Sequence, residues 1–154
     1  MKLHRLEFNE VVPIDLDTAW DFFSSPKNLG EITPAEMNFK VLSDLGDGKM
    51  YPGQIIHYIV HPMLGIPMRW TTEITHVEHH SYFVDEQRFG PYAMWHHEHF
   101  FKAVEGGVEV RDLLHYAMPF GPIGNIANSL FVTKKVKNIF EFRSGRMKEL
   151  FGSV

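Results

Sequence analysis

The chain of 154 residues contains no cysteine. Disulfides, thiolate metal sites and a cysteine nucleophile are excluded at once. No apolar run approaches the roughly 18 residues needed to cross a bilayer. No glycine-rich phosphate loop, Ser-His-Asp arrangement, internal repeat or low-complexity stretch occurs, and no cofactor is expected. Neither sign of charge dominates: 15 Lys+Arg stand against 19 Asp+Glu, for a net charge of −4. A mildly acidic chain is a poor partner for nucleic acid, and none is expected. The opening Met1-Lys2-Leu3-His4-Arg5 lacks the apolar centre of a signal peptide, so a cytoplasmic location is expected. What the chain has in abundance is aromatic: 13 Phe, 5 Tyr and 3 Trp. With 44% hydrophobic and 22% charged residues it reads as one folded domain, 1–154.

The charge is unevenly placed. Residues 122–154 hold six Lys/Arg against two Asp/Glu, which leaves nine against seventeen in the rest. A basic C-terminal element lies on an acidic body.

Alternation predicts a first strand from Leu3 to Val12, ended by Pro13. Asp15 or Asp17 caps a short helix through Phe23, and Ser25-Pro26 starts a second one, which Thr33-Pro34 ends. Strands follow at 39–43, 54–60, 68–77, 82–88, 93–105 and 108–118. After Gly121-Pro122 the period becomes helical. Ile123, Ala127, Leu130, Val136, Ile139, Phe140 and Met147 then share one face, with Lys134, Lys135, Lys137 and Arg146 mostly on the other. Strands in a run with helices set apart make an α+β domain.

Gly106-Gly107 between two strand-like runs predicts a tight hairpin. With these two residues as the turn, Ala103 faces Val110, Phe101 faces Asp112 and His99 faces Leu114. One sheet face then carries Trp95, His97, His99, Phe101, Asp112, Leu114, Tyr116 and Met118. It is apolar, with two imidazoles and a carboxylate set into it. The C-terminal helix is the element available to cover it, and a gap between them would hold a ligand.

The order of elements and a series of motifs resemble the SRPBCC superfamily. That superfamily includes START lipid-transfer domains, birch-pollen-allergen-like proteins and polyketide cyclases. The motifs are Trp20-Asp21-Phe22-Phe23 with Pro26-x-Asn28-Leu29, Ile32-Thr33-Pro34, Tyr51-Pro52-Gly53 and Arg69-Trp70-x-Thr72-Glu73-Ile74. Phe83-Val84-Asp85-Glu86-Gln87, Gly90-Pro91-Tyr92, Trp95-x-His97-x-His99-x-Phe101, Asp112, Tyr116-x-x-Pro119 and Ile139-Phe140-x-x-Arg143 complete them. More narrowly the chain is similar to small bacterial ligand-binding proteins of the polyketide cyclase/dehydrase type. The resemblance implies a helix-grip fold: a seven-stranded antiparallel sheet wrapped around a long C-terminal helix, with two short helices after the first strand. It also implies an internal cavity. It implies no particular reaction, because the scaffold hosts many functions.

In that topology three loops meet at the cavity mouth and carry Met63, Leu64, Ile66, Phe89, Tyr92, Phe120 and Ile123. Apolar loop residues of this kind either plug the end of the core or form a doorway, a lipid-contacting surface or a dimer contact. The candidate ligand-binding residues are Trp70, Phe83, Trp95, His97, His99, Phe101, Asp112, Leu114, Tyr116, Met118, Phe140 and Arg143. His97-x-His99 with Asp112 has the ingredients of a metal site, but no third ligand has a compelling spacing, so no metal is expected. As an acid–base group the same three residues would serve a cyclase, dehydratase or hydrolase. As buried polar groups they would simply satisfy one another. Parity leaves open whether Asp85 and Gln87 turn inward with Phe83. Arg143 is either a cation complementing the helix dipole or an anchor for a ligand anion. The expected function is binding of a hydrophobic or amphipathic small molecule (a lipid, isoprenoid or polyketide-like metabolite) without catalysis. The alternatives are an enzyme using the His/Asp pair and a protein-interaction module docking by its apolar rim. Peripheral membrane contact is a weak further expectation.

Overall fold

A computed structural model describes residues 1–62 and 64–154. Met63, one of the rim residues named above, lies outside the described residues. Strand β1 (Leu3–Val12) leads into helix α1 (Leu16–Phe23). Asp15 caps α1: its Oδ1 accepts from the Thr18 backbone N–H at 2.8 Å and its Oδ2 from the Thr18 hydroxyl at 2.8 Å. Two 3₁₀ segments follow, Pro26–Ile32 and Ala35–Met37, where a single second helix was expected. Thr33-Pro34 separates them, because the residue before proline is pushed to extended backbone.

The remaining strands are β2 (Lys40–Val41), β3 (Gln54–Val60), β4 (Met68–Glu78), β5 (Tyr82–Phe89), β6 (Met94–Val104) and β7 (Gly107–Ala117). They form one antiparallel sheet in the order β1-β7-β6-β5-β4-β3-β2. Its concave face is covered by a helix running from Gly121 to Phe151. Phe8 of β1 stacks on Phe140 of that helix with ring centroids 3.8 Å apart.

The β6–β7 hairpin corrects the expected register. Its turn is Glu105-Gly106, and Gly107 is already paired with Val104. His99 therefore faces Asp112, and Phe101 faces Val110. The shift is two residues, so every side chain keeps its face while its partner changes. The two glycines have different tasks. Gly106 supplies the positive φ of the turn, at +89°. At Gly107 a Cβ would come within 2.0 Å of the Val12 carbonyl oxygen, so only glycine lets β1 pass.

The C-terminal helix also departs from expectation. It consists of α2 (Gly121–Ala127), a π turn (Asn128–Val132) and α3 (Thr133–Phe151). Its buried residues are Gly124, Asn128, Val132, Val136, Phe140, Arg143 and Met147. The first five recur every fourth residue, wider than the ~3.6 of an α-helix. The π turn takes up the difference. Ile123 and Leu130, expected on the covered face, are thereby turned into solvent.

Trp20 and Phe23 of α1 pack with Phe83, Phe101, Val108, Val110 and Met147 into a dense core at one end of the sheet. From the edge of this core, at Phe23 and Ile32, toward the other end the sheet and helix stand apart.

Candidate functional site

The gap is a cavity of about 270 Å³. The sheet contributes Ile56, Tyr58, Trp70, Ile74, Phe83 and Trp95, and the helix contributes Val132, Val136, Ile139 and Phe140. Met37 and Phe39, from the segment between α1 and β3, close the third side. Trp70 meets Trp95 edge to face at 5.2 Å and Tyr92 at 5.5 Å, so an aromatic panel lines the wall toward the mouth. Gln87 holds that panel from outside the cavity. Its Nε2 donates to the Tyr92 carbonyl at 2.8 Å and its Oε1 accepts the Tyr92 N–H at 3.1 Å.

One polar cluster interrupts the apolar wall. His97 and His99 of β6 lie with ring centroids 3.8 Å apart, between Asp85 of β5 and Asp112 of β7. His99 Nε2 donates to Asp85 Oδ2 at 2.7 Å, and its Nδ1 touches Asp112 Oδ1 at 2.9 Å without hydrogen-bond alignment. His97 Nε2 donates to the same Asp112 oxygen at 3.0 Å, while its Nδ1 stands 3.6 Å from Asp85 Oδ2. Arg143 Nη1, reaching in from α3, donates to Asp112 Oδ1 at 3.2 Å. Its guanidinium lies over the rings of Phe23 and Phe140. Asp85, His97, His99 and Arg143 border the cavity, and Asp112 sits behind them.

The two imidazoles have different surroundings. Both nitrogens of His99 are against carboxylate oxygens, the surroundings of an imidazolium. His97 is close on one side only, the surroundings of a neutral ring with its proton on Nε2. Titration follows the same pattern. Burial and the charge of His99 push His97 down, more than Asp112 and Asp85 push it back up. Burial opposes the charge on His99, but the contacts with Asp112 and Asp85 outweigh it and raise its pKa. Burial raises the Asp112 carboxyl, and the charge of Arg143 with the two imidazoles overrides this to hold it well below its usual range. Asp85 is likewise lowered against its burial, by its hydrogen bond from His99 and the nearby imidazoles. With two carboxylates, one guanidinium and one imidazolium, the cluster sums to zero, which is what a buried ionic group requires.

Of the residues singled out from sequence, Trp70, Phe83, Trp95, His97, His99, Met118, Phe140 and Arg143 border the cavity. Phe101 belongs instead to the dense end core, because it packs on Trp20 and Phe23. Leu114 and Tyr116 lie under the helix, where the Tyr116 hydroxyl donates to Asn128 Oδ1 at 2.9 Å. Asp112 is the carboxylate behind the imidazoles rather than a wall residue. Arg143 does not serve the helix dipole: it is turned inward as the partner of Asp112. The sequence reading left Asp85 undecided and did not single out Tyr58 or Thr72, whose hydroxyls meet at 2.6 Å in the same wall. The period-two spacing of Phe83 and Asp85 was the available signal.

Ligand atoms of Asp85, His97 and His99 lie within 4.8 Å of one another, near enough to share a cation. A cation there would displace the His99–Asp85 hydrogen bond and leave the cluster positively charged beside Arg143. Each of the three side chains already has a hydrogen-bonded partner inside the cluster.

No family model and no curated protein matches the chain. Solved structures do match. Protein CV1439 from Chromobacterium violaceum superposes with a TM-score of 0.73 at 10% identity, over 97% of this chain and 98% of that one. TTHA0849 from Thermus thermophilus gives 0.66 at 14% identity, over 96% and 95%. Ara h 8.0201 gives 0.61 at 15% identity, over 96% and 99%. The fold is the helix-grip fold. The resemblance carried by the motifs thus extends to the architecture, and at these identities it speaks for the fold alone. Within the helix-grip frame, the polar cluster sits mid-sheet and faces the gripped helix.

Proposed function

We propose that the chain binds a hydrophobic or amphipathic small molecule of the lipid, isoprenoid or polyketide kind in the cavity between sheet and helix, without transforming it. One observation carries the reading: an aromatic cavity of about 270 Å³ with the Asp85, His97, His99 and Arg143 side chains on its wall. An apolar space of this size is filled most favourably by an apolar guest, and a few convergent polar groups orient the polar end. Asp85 and the imidazoles supply those groups. The Nε2 atoms of both imidazoles are held by Asp112 and Asp85, which fixes the rings for orienting a guest. The enzymatic alternative rests on the same pair, since a His–Asp pair at a cavity wall is what acid–base chemistry uses. The open cavity speaks against an interaction module with a collapsed interior.

Native mass spectrometry of protein from its own cells, followed by solvent extraction, is the direct test. A bound apolar metabolite is the expected result. In thermal shift, a ligand at 100-fold excess over its Kd adds about 2.7 kcal/mol. For a domain of this size that is a rise in Tm of roughly 5–10 °C. Ile139→Trp, which fills the cavity from the helix side, abolishes that rise while the chain stays folded. An empty protein that no lipid or hydrophobic dye stabilises would sink the proposal. Turnover of the extracted compound that His99→Gln stops would replace it with the enzymatic reading.

A further inference from the structure

Leu64, Ile66, Phe89, Phe120 and Ile123 do not line the cavity. They stand in solvent at its mouth, Leu64 92% and Phe120 81% exposed, so they plug nothing. Leu64 and Ile66 lie in the β3–β4 connection, Phe89 ends β5, Phe120 joins β7 to α2 and Ile123 is in the first turn of α2, all at the same end of the sheet. On the helix, Ile126 and Leu130 extend the outward face of Ile123. Single exposed apolar residues need no explanation, but a cluster of them does.

Two further observations concern the same face. Leu64 and Phe120 hold positive φ, +53° and +65°, a region that bulky residues avoid. The strain sits at the two tips that protrude furthest, which points to a use for those side chains outside the fold. The face is also poor in negative charge, with Glu36 beside it paired to Lys135. No Asp or Glu occurs between Asp47 and Glu73, between Glu86 and Glu98, or between Asp112 and Glu141, in a chain that has 19 of them. Lys134 and Lys137 are exposed on the next turns of the helix, and Lys135 reaches Glu36 at 3.6 Å beside the cavity edge.

A second copy of the chain fits this face poorly. A two-fold dimer would gather two copies of Lys134 and Lys137 at one interface. A bilayer containing anionic lipid meets both features, with apolar tips for the headgroup–acyl boundary and cations for the surface charge.

We propose that this face docks the cavity mouth onto an anionic lipid bilayer, with Leu64, Phe89, Phe120 and Ile123 among the headgroups and the exposed Lys134 and Lys137 against the surface. An apolar guest then passes between bilayer and cavity without crossing water. The docking stands independently of what the cavity holds.

Flotation of the full chain with vesicles tests it. Binding is expected to vesicles of phosphatidylcholine with roughly 30% phosphatidylglycerol, and at least about tenfold more weakly to phosphatidylcholine alone. Neutralising Lys134 and Lys137 to Gln removes that preference. Leu64→Asn with Phe120→Asn removes the tips and suits the left-handed backbone better, so stability holds or rises while vesicle binding falls about tenfold or more. Failure to float with either vesicle would overturn the proposal, as would unchanged binding of the Asn variant. A loss of Tm in that variant would show the tips to be packing residues. A dimer in light scattering that Phe120→Asn splits would make a second copy the occupant.

Discussion

Asp112 Oδ1 faces His97, His99 and Arg143 at once, at 3.0, 2.9 and 3.2 Å. A pH dependence of stability follows with a sign for each group. His99 is raised, so its contribution is complete below the unfolded value of ~6.5 and is lost as pH climbs through its folded pKa. His97 is lowered, so its contribution is present above ~6.5 and is lost as pH falls through its folded pKa. Asp85 and Asp112 are lowered, and their contributions disappear as pH falls below the usual carboxylate value of ~3.9. Tm plotted against pH should therefore show a plateau with an acid limb and an alkaline limb. In His99→Gln the alkaline limb flattens. An unchanged alkaline limb in that variant would exclude an imidazolium at this position. Much of the cluster was legible in the sequence, because His97, His99 and Asp112 share a face by parity alone. Asp85 was not, for a physical reason. Phe83 and Val84 are both buried, so β5 offers no alternation around Asp85. Two register shifts between β4 and β5 also break extrapolation from the neighbouring strand.

At the scale of elements, most boundaries were readable and two features were not. The hairpin sequence carries two adjacent glycines, and sequence alone favours placing both in the turn. Only the passage of β1 beside Gly107, a contact from the far end of the chain, assigns it to the ladder. Gly107→Ala should cost more than the ~1 kcal/mol typical of a point substitution, because the Val12–Pro13 backbone must move. Urea denaturation measures it, and a cost within ~0.5 kcal/mol would contradict the close approach. The π turn was illegible because periodicity assumes a constant 3.6. Its cause is tertiary: buried Asn128 must meet the Tyr116 hydroxyl while Val136 and Phe140 still face the sheet. The extra residue satisfies both and exposes Ile123 and Leu130 as a by-product.

Across the whole molecule the two ends of the sheet do different work. The α1 end is close-packed around Trp20, Phe23 and Phe101. The cavity starts against Phe22, Phe23 and Ile32 of that end and extends to Pro62, Pro91 and Met118 at the other, which carries the strained apolar tips. Stability and ligand affinity should separate along this axis. Phe101→Ala is expected to cost about 3–5 kcal/mol, as large-to-small changes in dense cores do. It should leave the affinity for a cavity ligand within about threefold, since Phe101 does not border the cavity. Calorimetric titration of the variant below its lowered Tm checks this. A loss of affinity in step with stability would mean the two ends unfold and bind as one. The global architecture was legible because seven strand signals and one helical period leave few arrangements. Cavity volume was not, since it depends on how far the helix stands off the sheet.

The pairing of β1 with β7 also decides where anything joined to the chain would emerge. Leu3 lies opposite Ala117, two residues before Pro119 and the rim tip Phe120. Val154 rests near Gly106, at the other end of the same strand. A fusion partner or affinity tag placed ahead of Leu3 would crowd the doorway, whereas one placed after Val154 would hang from the sealed pole and leave the opening clear.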